Sequence, residues 1–175
     1  WEATAPKPGN VHPAASFPDT SYEDFISSAQ AIGPAMQAAV NQDVGTTVWQ
    51  AVSATREVVS SNTNLGLILL LAPLAAVPQD QPLRAGLDQV LKTLTPTDSS
   101  SIYDAIRLTQ PGGLGKADGF DVQESPPSDL LAAMQEASSR DLVARQYCHG
   151  FSDLFDSLCP WIEQGLTLSL IHISE

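Results

Sequence analysis

The chain has 175 residues, of which 43% are hydrophobic and 16% are charged. This composition excludes a disordered or fibrous chain, and the length suits one domain with a single core. Twenty acidic residues against eight basic ones give a formal net charge of −12, which excludes general binding to nucleic-acid backbones because such binding relies on many cations.

Apolar residues at helical spacing predict an all-α fold, a single-domain multi-helix bundle that follows a proline-rich N-terminal loop. Residues 1–19 contain four prolines, so no helix is expected there. A capping box at Thr20–Glu23 opens the first helix, and Pro34 marks a kink or a restart within it. Further helices are predicted at 44–59, 65–77, 83–94 and from Pro96 to about Thr109.

The longest apolar run extends from Leu65 to Val77 and predicts a fully buried helix. Its 13 residues, interrupted by Gly66 and Pro73, are fewer than the roughly 20 that cross a bilayer, so no membrane association is expected. The polar stretch Ser60–Asn64 precedes this helix and supplies candidate capping side chains.

The last third of the chain is predicted to contain a loop and two further helices. Pro111 begins a glycine-rich loop that persists to about Ser128, after which helical spacing resumes at Leu130. One continuous helix is then expected from about Arg140 to Leu158, ended by Pro160.

Two cysteines lie on this last predicted helix. Cys148 and Cys159 are eleven residues apart, which separates them by about 16 Å along a helix and puts them beyond the reach of a disulfide. The absence of this disulfide indicates a reducing, cytoplasmic setting.

The two ends of the sequence differ from the part between them. The chain begins with Trp1 and not with Met. Residues 166–175, Leu-Thr-Leu-Ser-Leu-Ile-His-Ile-Ser-Glu, differ in composition from the preceding residues. We therefore expect a clipped N-terminus, a helical domain at 1–165 and a non-native tail at 166–175.

Polar and basic residues in the predicted loops are candidates for holding an anion. The run Pro111–Lys116 is glycine-rich, so its backbone can approach a ligand closely, but it lacks the spacing of a Walker A loop and also suits a plain connector. The segment Asn62–Gly66 lies at the mouth of a helix whose dipole favours an anion, although helix capping alone also explains it. Lys7 and Arg145 can bind phosphates or be solvated surface charges.

Two carboxylates are candidates for catalysis or for a metal. Asp19 and Asp141 can serve as a general base or hold Mg²⁺ between phosphate oxygens. The three histidines have neither the spacing of a zinc site nor that of a catalytic triad, which disfavours a metal hydrolase or a nucleophilic hydrolase.

Four stretches of the chain stand out together: Glu2–Val11, Ser60–Gly66, Gly112–Gly119 and Arg140–Arg145. Their order and content resemble the triphosphoribosyl-dephospho-CoA synthase family over residues 2 to 160, and the opening Pro-Lys-Pro-Gly sequence is the most specific part. The resemblance implies an all-helical pentosyltransferase-type enzyme. In that reaction the ribose 2′-hydroxyl of 3′-dephospho-CoA attacks the anomeric carbon of the ATP ribose and displaces adenine. The resemblance also implies ATP as a substrate and Mg²⁺ beside its triphosphate.

The resemblance assigns roles to individual positions. The positions that match the family's motifs are Lys7, Gly9, Asp19, Asn62, Thr63, Gly66, Gly115, Asp141 and Arg145. Asn64 and Lys116 are added to the expected nucleotide-binding set. By analogy Lys7 and Arg145 hold phosphates, and the Asn62 segment lines the nucleotide pocket. Asp19 and Asp141 hold the metal or act as the base.

The chain departs from the family pattern at several of these places. Phe17-Pro18 precedes Asp19 where the family has His, and Asn64-Leu65 stands in place of Asn-Thr-His-Lys-Gly. Leu114 and Lys116 stand where the family has Gly-Ala-Arg-Gly-Glu. The family's C-terminal Asp-Ser-type segment with its Arg-Lys pair is missing, and we expect this of a truncated chain. Two alternatives follow: a related ribosyl-phosphate transfer in methanopterin-type cofactor biosynthesis, and a non-catalytic nucleotide-binding helical module.

Overall fold

The computed structural model of this chain describes Thr4, residues 11–109 and residues 125–172, with side chains described up to residue 165. The α-helices are α1 (Tyr22–Ala31), α2 (Gly33–Ala38), α3 (Val44–Val58), α4 (Leu65–Ala75), α5 (Leu83–Lys92), α6 (Pro96–Thr109), α7 (Leu130–Ala137), α8 (Leu142–Cys148) and α9 (Cys159–His172). A 3₁₀ turn at Ala39–Asn41 follows α2, and a π-helical segment at Asp153–Leu158 precedes α9. Over the described ranges there is no β-strand, only two isolated bridges before α1. The predicted all-α fold is confirmed.

Helix α3 lies at the centre of the bundle and packs against α1, α2, α4 and α6. Val48 and Val52 on its inner face are almost wholly buried, and Ile102 of α6 joins them in the core. The two helices come closest at Gly45, where a Cβ atom would lie 2.5 Å from the Cα of Asp98. Glycine at this position therefore permits the short distance between α3 and α6.

The carboxylate of Asp98 joins the beginnings of these two helices. It is buried, and its Oδ1 accepts a hydrogen bond from the backbone N–H of Gly45 at 2.7 Å. Its Oδ2 accepts from the backbone N–H and the hydroxyl of Thr95, at 2.8 and 2.7 Å. The side chain of Asp98 therefore caps the beginnings of both helices. The three hydrogen bonds compensate the cost of burying its charge.

Helix α4 contains a proline whose effect on the hydrogen-bond ladder is compensated by another helix. Pro73 lacks the N–H that the carbonyl of Leu69, one turn earlier, would otherwise accept. The hydroxyl of Tyr147 in α8 donates to this carbonyl at 2.7 Å. Burial raises the pKa of Tyr147, so the donor keeps its proton. This hydrogen bond fixes α8 against α4.

The start of α1 differs slightly from the prediction. Ser21 is the N-cap, and its Oγ accepts from the Asp24 N–H at 3.3 Å while Asp24 Oδ2 accepts from the Ser21 N–H at 2.7 Å. The capping box therefore lies one residue later than the predicted Thr20–Glu23. Pro34 lies in the first turn of α2 and marks a restart, as predicted.

The prediction that α4 is fully buried is wrong. Leu65, Ile68 and Leu69 are buried, but Leu67 is 50% exposed. One side of α4 packs against α2, α3 and α8, and the other side reaches the surface. In the described stretches no helix combines the length and the hydropathy needed to span a bilayer.

The prediction of a single helix from Arg140 to Leu158 is also wrong, because the chain turns after α8. Gly150 and Phe151 have φ angles of 57° and 58°, in the left-handed region, and the π-helical segment begins shortly afterwards. Phe151 is 1% exposed and its ring packs on that of Tyr147, with centroids 5.8 Å apart. The helix is interrupted where the ring of Phe151 enters the core. Apolar periodicity in the sequence alone does not predict this interruption.

Helix α9 begins at Cys159 with Pro160 in its first turn, a position that tolerates proline, so the prediction that Pro160 ends a helix is wrong. Cys148 and Cys159 are free thiols that lie on different helices. The backbone of α9 continues to His172, and the different origin expected for residues 166–175 stays a prediction. The loop predicted from 111 to 128 lies mostly outside the described residues, and α7 begins at Leu130 as predicted.

Candidate functional site

The α3–α4 loop, residues 60–64, holds three of the predicted binding side chains, and each of them has a structural partner. Asn62 Oδ1 accepts a hydrogen bond from the Leu65 N–H, the first of α4, at 3.2 Å, whereas the N-cap residue Asn64 makes no side-chain capping hydrogen bond. Asn64 Nδ2 donates to the hydroxyl oxygen of Thr55 in α3 at 3.1 Å. The capping interpretation therefore applies to this loop, and its side chains are held in defined positions.

Thr63 fixes the same loop to α1. The Oγ1 of Thr63 lies 2.5 Å from the Oγ of Ser28. Because the Ser28 hydroxyl donates to the carbonyl of Asp24 at 2.6 Å, the Thr63 hydroxyl is the donor within the pair. Ser61 Oγ, in the same loop, is buried and has no hydrogen-bond partner among the described residues. Hydrogen bonds thus hold the loop to α1 and α3, and one buried polar atom in it is unpaired.

The beginning of α4 meets the beginning of α8. A Cβ atom at Gly66 would lie 3.8 Å from Val143 Cγ2, which is an ordinary van der Waals distance. Val143 stands between Asp141 and Arg145 on α8. The segment Asn62–Gly66 and the first turn of α8, distant in sequence, therefore share one region of the molecule, which we call the α4–α8 corner. Val143 and Tyr147 contact α4, so Arg145, midway between them in sequence, lies on the opposite face of α8.

Asp141 caps α8. Its Oδ1 accepts from the backbone N–H groups of Val143 and Ala144, at 2.7 and 3.0 Å, and the residue is exposed. One oxygen of this carboxylate is therefore committed to the helix.

Arg145 forms an ion pair with a residue that the sequence did not single out. Its Nε and Nη2 donate to Asp153 Oδ2 at 2.9 and 2.6 Å, and Gln146 Nε2 donates to the same oxygen at 2.8 Å. These hydrogen bonds, that from Gln146 first, hold the pKa of Asp153 below its ordinary value. Asp153 is therefore charged at neutral pH.

The remaining predicted residues are only partly described. Asp19 is exposed in the turn before α1, where the Thr20 hydroxyl approaches its Oδ1 at 3.5 Å. Four further predicted positions, Lys7, Gly9, Gly115 and Lys116, lie outside the described residues.

The described residues include both carboxylates predicted to hold Mg²⁺. Among the described residues, no group of three or more potential metal-ligating side chains occurs. A nucleotide-bound Mg²⁺ keeps several waters and takes about one or two protein carboxylates in addition to phosphate oxygens, so a full protein cage is not required. Asp19 and Asp141 are exposed carboxylates, whose oxygens are the ligand type that Mg²⁺ prefers.

Sequence reasoning missed the residues that support the predicted ones. Ser28 and Thr55 hold the α3–α4 loop, and Asp153 and Gln146 hold Arg145. Gly150, inside the predicted helix, was the one available signal that the chain turns there.

Comparisons with known proteins agree with the earlier resemblance. No curated protein and no solved structure matches the chain significantly. The family CitG, described as ATP:dephospho-CoA triphosphoribosyl transferase, matches residues 1–170. Since this match spans nearly the whole chain, the protein belongs to the ATP:dephospho-CoA triphosphoribosyl transferase family.

Proposed function

We propose that this chain carries out the family's reaction at the α4–α8 corner. Family membership supports transfer of the triphosphoribosyl group from ATP to dephospho-CoA, and it does not favour the methanopterin-type transfer or the non-catalytic module. The observation that carries the site assignment is the contact of Gly66 with Val143, which brings Asn62–Gly66 close to the beginning of α8 and its cap Asp141.

The reaction sets clear chemical demands on this corner. The 2′-hydroxyl oxygen of dephospho-CoA forms a bond with C1′ of the ATP ribose, and the bond from C1′ to N9 of adenine breaks with its electron pair left on adenine. A base takes the hydroxyl proton, and the departing adenine gains a proton, so the reaction consumes none overall. The ribosyl centre gains positive charge during the transfer, and the triphosphate remains attached to the ribose. The site therefore needs donors for the triphosphate and a carboxylate near the hydroxyl.

Several groups at the corner meet these demands. The first turn of α4 presents backbone N–H groups at the positive end of the helix dipole, and Gly66 leaves its backbone accessible. Asp141 supplies a carboxylate, and Arg145 is proposed by analogy with the family to supply a positive charge from the opposite face of α8. Lys7, Gly9, Gly115 and Lys116 are proposed to complete the phosphate site.

Mg²⁺ is proposed to accompany ATP. Asp19 and Asp141 would hold it together with phosphate oxygens, and the ion would neutralise part of the triphosphate charge. We place the reaction in the cytoplasm, where ATP is available and where the free thiols of Cys148 and Cys159 stay reduced.

Adenine release tests the proposed function. The full chain, incubated with ATP and Mg²⁺, is expected to release adenine only when dephospho-CoA is also present. Binding of ATP with no adenine release under either condition would contradict the proposal and support the non-catalytic module. Adenine release that does not depend on dephospho-CoA but requires a pterin precursor would support the methanopterin-type ribosyl-phosphate transfer.

The substitution Asp141→Asn tests the role of this carboxylate separately from its structural role. Asparagine caps helices as well as aspartate does, so α8 should be preserved while the charge is lost. We expect adenine release to fall about 100-fold, as for the loss of a general base, with an unchanged melting temperature.

Asp129→Asn is the matched control. Asp129 caps α7 in the same manner, with its Oδ1 accepting from the Ala132 N–H at 3.1 Å, and it lies outside the corner. This variant should keep the wild-type rate. Equal rates for Asp141→Asn and the wild type would remove Asp141 from the site.

A further inference from the structure

Two buried hydroxyl groups decide the direction of the hydrogen bonds that hold the α3–α4 loop. The hydroxyl of Ser28 in α1 donates to the carbonyl of Asp24 at 2.6 Å. The hydroxyl of Thr55 in α3 donates to the carbonyl of Ala51 at 3.0 Å. A carbonyl oxygen can only accept, and each hydroxyl has a single proton. Both protons are therefore used within their own helices, and the loop must supply the donor to each hydroxyl oxygen.

The loop residue Thr63 supplies one of these donors. Its Oγ1 lies 2.5 Å from Ser28 Oγ, and the proton between the two oxygens comes from Thr63 because the Ser28 proton is directed at Asp24. Over the described residues, the side chain of Thr63 makes no other hydrogen bond, and the residue is half-buried. Thr63 has thus used its proton in the fold, and only its lone pairs are left for a ligand.

The neighbouring Asn64 is oriented in the same way. Thr55 Oγ1 has to accept, so Asn64 turns its Nδ2 toward this oxygen at 3.1 Å, and in the described part of the chain no donor reaches Asn64 Oδ1. The amide keeps a second hydrogen on Nδ2, so Asn64 can still donate to a ligand. The strict limit to accepting therefore holds for Thr63.

This limit restricts which part of ATP Thr63 can bind. Ionised phosphate groups offer acceptors, and an acceptor cannot pair with an oxygen whose only proton is already used. The donors of ATP are the two ribose hydroxyls and the 6-amino group of adenine. Thr63 lies two residues before the first turn of α4, where the triphosphate is proposed to bind. The ribose is the part of the nucleotide that is joined to the triphosphate, whereas the 6-amino group lies at the far end.

We propose that Thr63 accepts a hydrogen bond from a ribose hydroxyl of ATP, and that Ser28 is a positioning residue that fixes this direction. The inference rests on the proposed function, because it assumes that ATP binds at the beginning of α4. Ser28 is 1% exposed, so it acts through Thr63 and does not touch the substrate. In this arrangement the loop recognises the sugar that carries the reacting C1′ atom, and donors elsewhere hold the phosphates.

Calorimetry with ATP analogues tests the role of Thr63. The affinity for ATP divided by that for 2′-deoxy-ATP or 3′-deoxy-ATP, each with Mg²⁺, is here called the ribose discrimination. We expect the wild type to bind one deoxy analogue about 3- to 10-fold more weakly than ATP, as for the loss of a neutral hydrogen bond. Thr63→Val, which keeps the shape of the side chain and removes the acceptor, is expected to bind that analogue and ATP equally.

Thr63→Ser is the matched control, because it keeps the hydroxyl and should keep the ribose discrimination. Equal discrimination by the wild type and Thr63→Val, or none by the wild type, would overturn the inference. Loss of discrimination in Thr63→Ser would also overturn it, since the methyl group would then be responsible. If Thr63→Val instead abolished the preference for ATP over purine riboside triphosphate, which lacks the 6-amino group, the bound donor would be adenine and not the ribose.

Ser28→Ala tests the positioning role, and Thr47→Val is its control. Thr47 in α3 is buried, and its hydroxyl likewise donates to the carbonyl four residues earlier and accepts from a side chain outside the helix, Gln42 Nε2, at 3.0 Å. Ser28→Ala frees the Thr63 proton, so the ribose discrimination should fall about twofold or more while inorganic triphosphate binds no more weakly. Thr47→Val should keep the wild-type discrimination. Equal weakening of ATP, its deoxy analogues and triphosphate by Ser28→Ala would mean a purely structural role and contradict the inference.

Binding and adenine release are separate measurements, so failure of this inference is distinguishable from failure of the proposed function. Ribose discrimination that depends on Thr63, without adenine release, would support the inference and contradict the reaction. Adenine release with equal discrimination by the wild type and Thr63→Val would support the reaction and contradict the inference. A wild type that does not bind ATP would contradict both.

Discussion

At the scale of single residues, the predicted binding side chains also hold the structure together. Asn62 caps α4, Thr63 bonds to Ser28, and Asp141 caps α8. A loop between buried helices must satisfy its polar groups, and short polar side chains do this locally. Substitution by alanine at these positions would therefore mix loss of structure with loss of binding, which is why replacements that keep the cap are needed.

The hydrogen bond from Tyr147 to the carbonyl of Leu69 has a testable energetic consequence. Tyr147→Phe leaves this buried carbonyl without a donor, so the free energy of unfolding should fall by about 1–3 kcal/mol. In a Pro73→Ala background the N–H of residue 73 can serve the carbonyl, and the same substitution should cost less by about 1 kcal/mol. Urea unfolding of the four proteins measures this coupling. Additive effects would show that the Tyr147 hydroxyl does not replace the missing proline donor.

At the scale of helices, contact between α3 and α6 depends on a position without a side chain. Gly45→Ala would place a methyl group 2.8 Å from the carbonyl oxygen of Asp98, and backbone atoms cannot move aside as a flexible side chain can. We expect the free energy of unfolding to fall by about 1–3 kcal/mol, from overpacking. Gly33→Ala is the control, because a Cβ there meets nothing within 4 Å and should leave stability unchanged or slightly higher. A stable Gly45→Ala protein in urea unfolding would contradict this account of the packing.

Gly66 allows a similar test of binding. Its Cβ would make only ordinary contact with Val143, so Gly66→Ala should fold with equal or greater stability, by up to about 1 kcal/mol. If the backbone of Gly66 approaches the triphosphate closely, the added methyl group should raise the KM for ATP about tenfold. Steady-state adenine release at varied ATP concentrations measures this change. An unchanged KM would mean that no substrate atom lies near Gly66.

Sequence periodicity predicted α1 to α7 well because their apolar faces and caps are local features. It failed where tertiary packing decides the backbone. The burial of Phe151 breaks the predicted final helix. The buried Ser28 holds the α3–α4 loop in its conformation through a hydrogen bond with Thr63. Polar and charged side chains, and then the family resemblance, indicated Asn62–Gly66, Asp141 and Arg145 as site residues, and this assignment stays a prediction. Asp153 was missed because only the turn brings it to Arg145.

At the scale of the whole molecule, an acidic protein has to bind two polyanionic substrates. With a formal net charge of −12, the protein does not attract the anions ATP and dephospho-CoA by long-range electrostatics. Binding must therefore depend on short-range contacts. We propose that these contacts come from the region where the α3–α4 loop meets α1, through Ser28 and Thr63, and where α4 meets α8, at Gly66. Lys7 and Lys116 are the further cations that we expect there.

The fate of the two ends of ATP tests the central claim most directly. ATP labelled in both adenine and the γ-phosphate is incubated with the full chain, Mg²⁺ and dephospho-CoA, and the products are separated. Transfer of the triphosphoribosyl group predicts that the adenine label appears as free base while the γ-phosphate label moves with dephospho-CoA. A γ-phosphate label found as free phosphate, or an adenine label that stays with the ribose, would contradict this reaction.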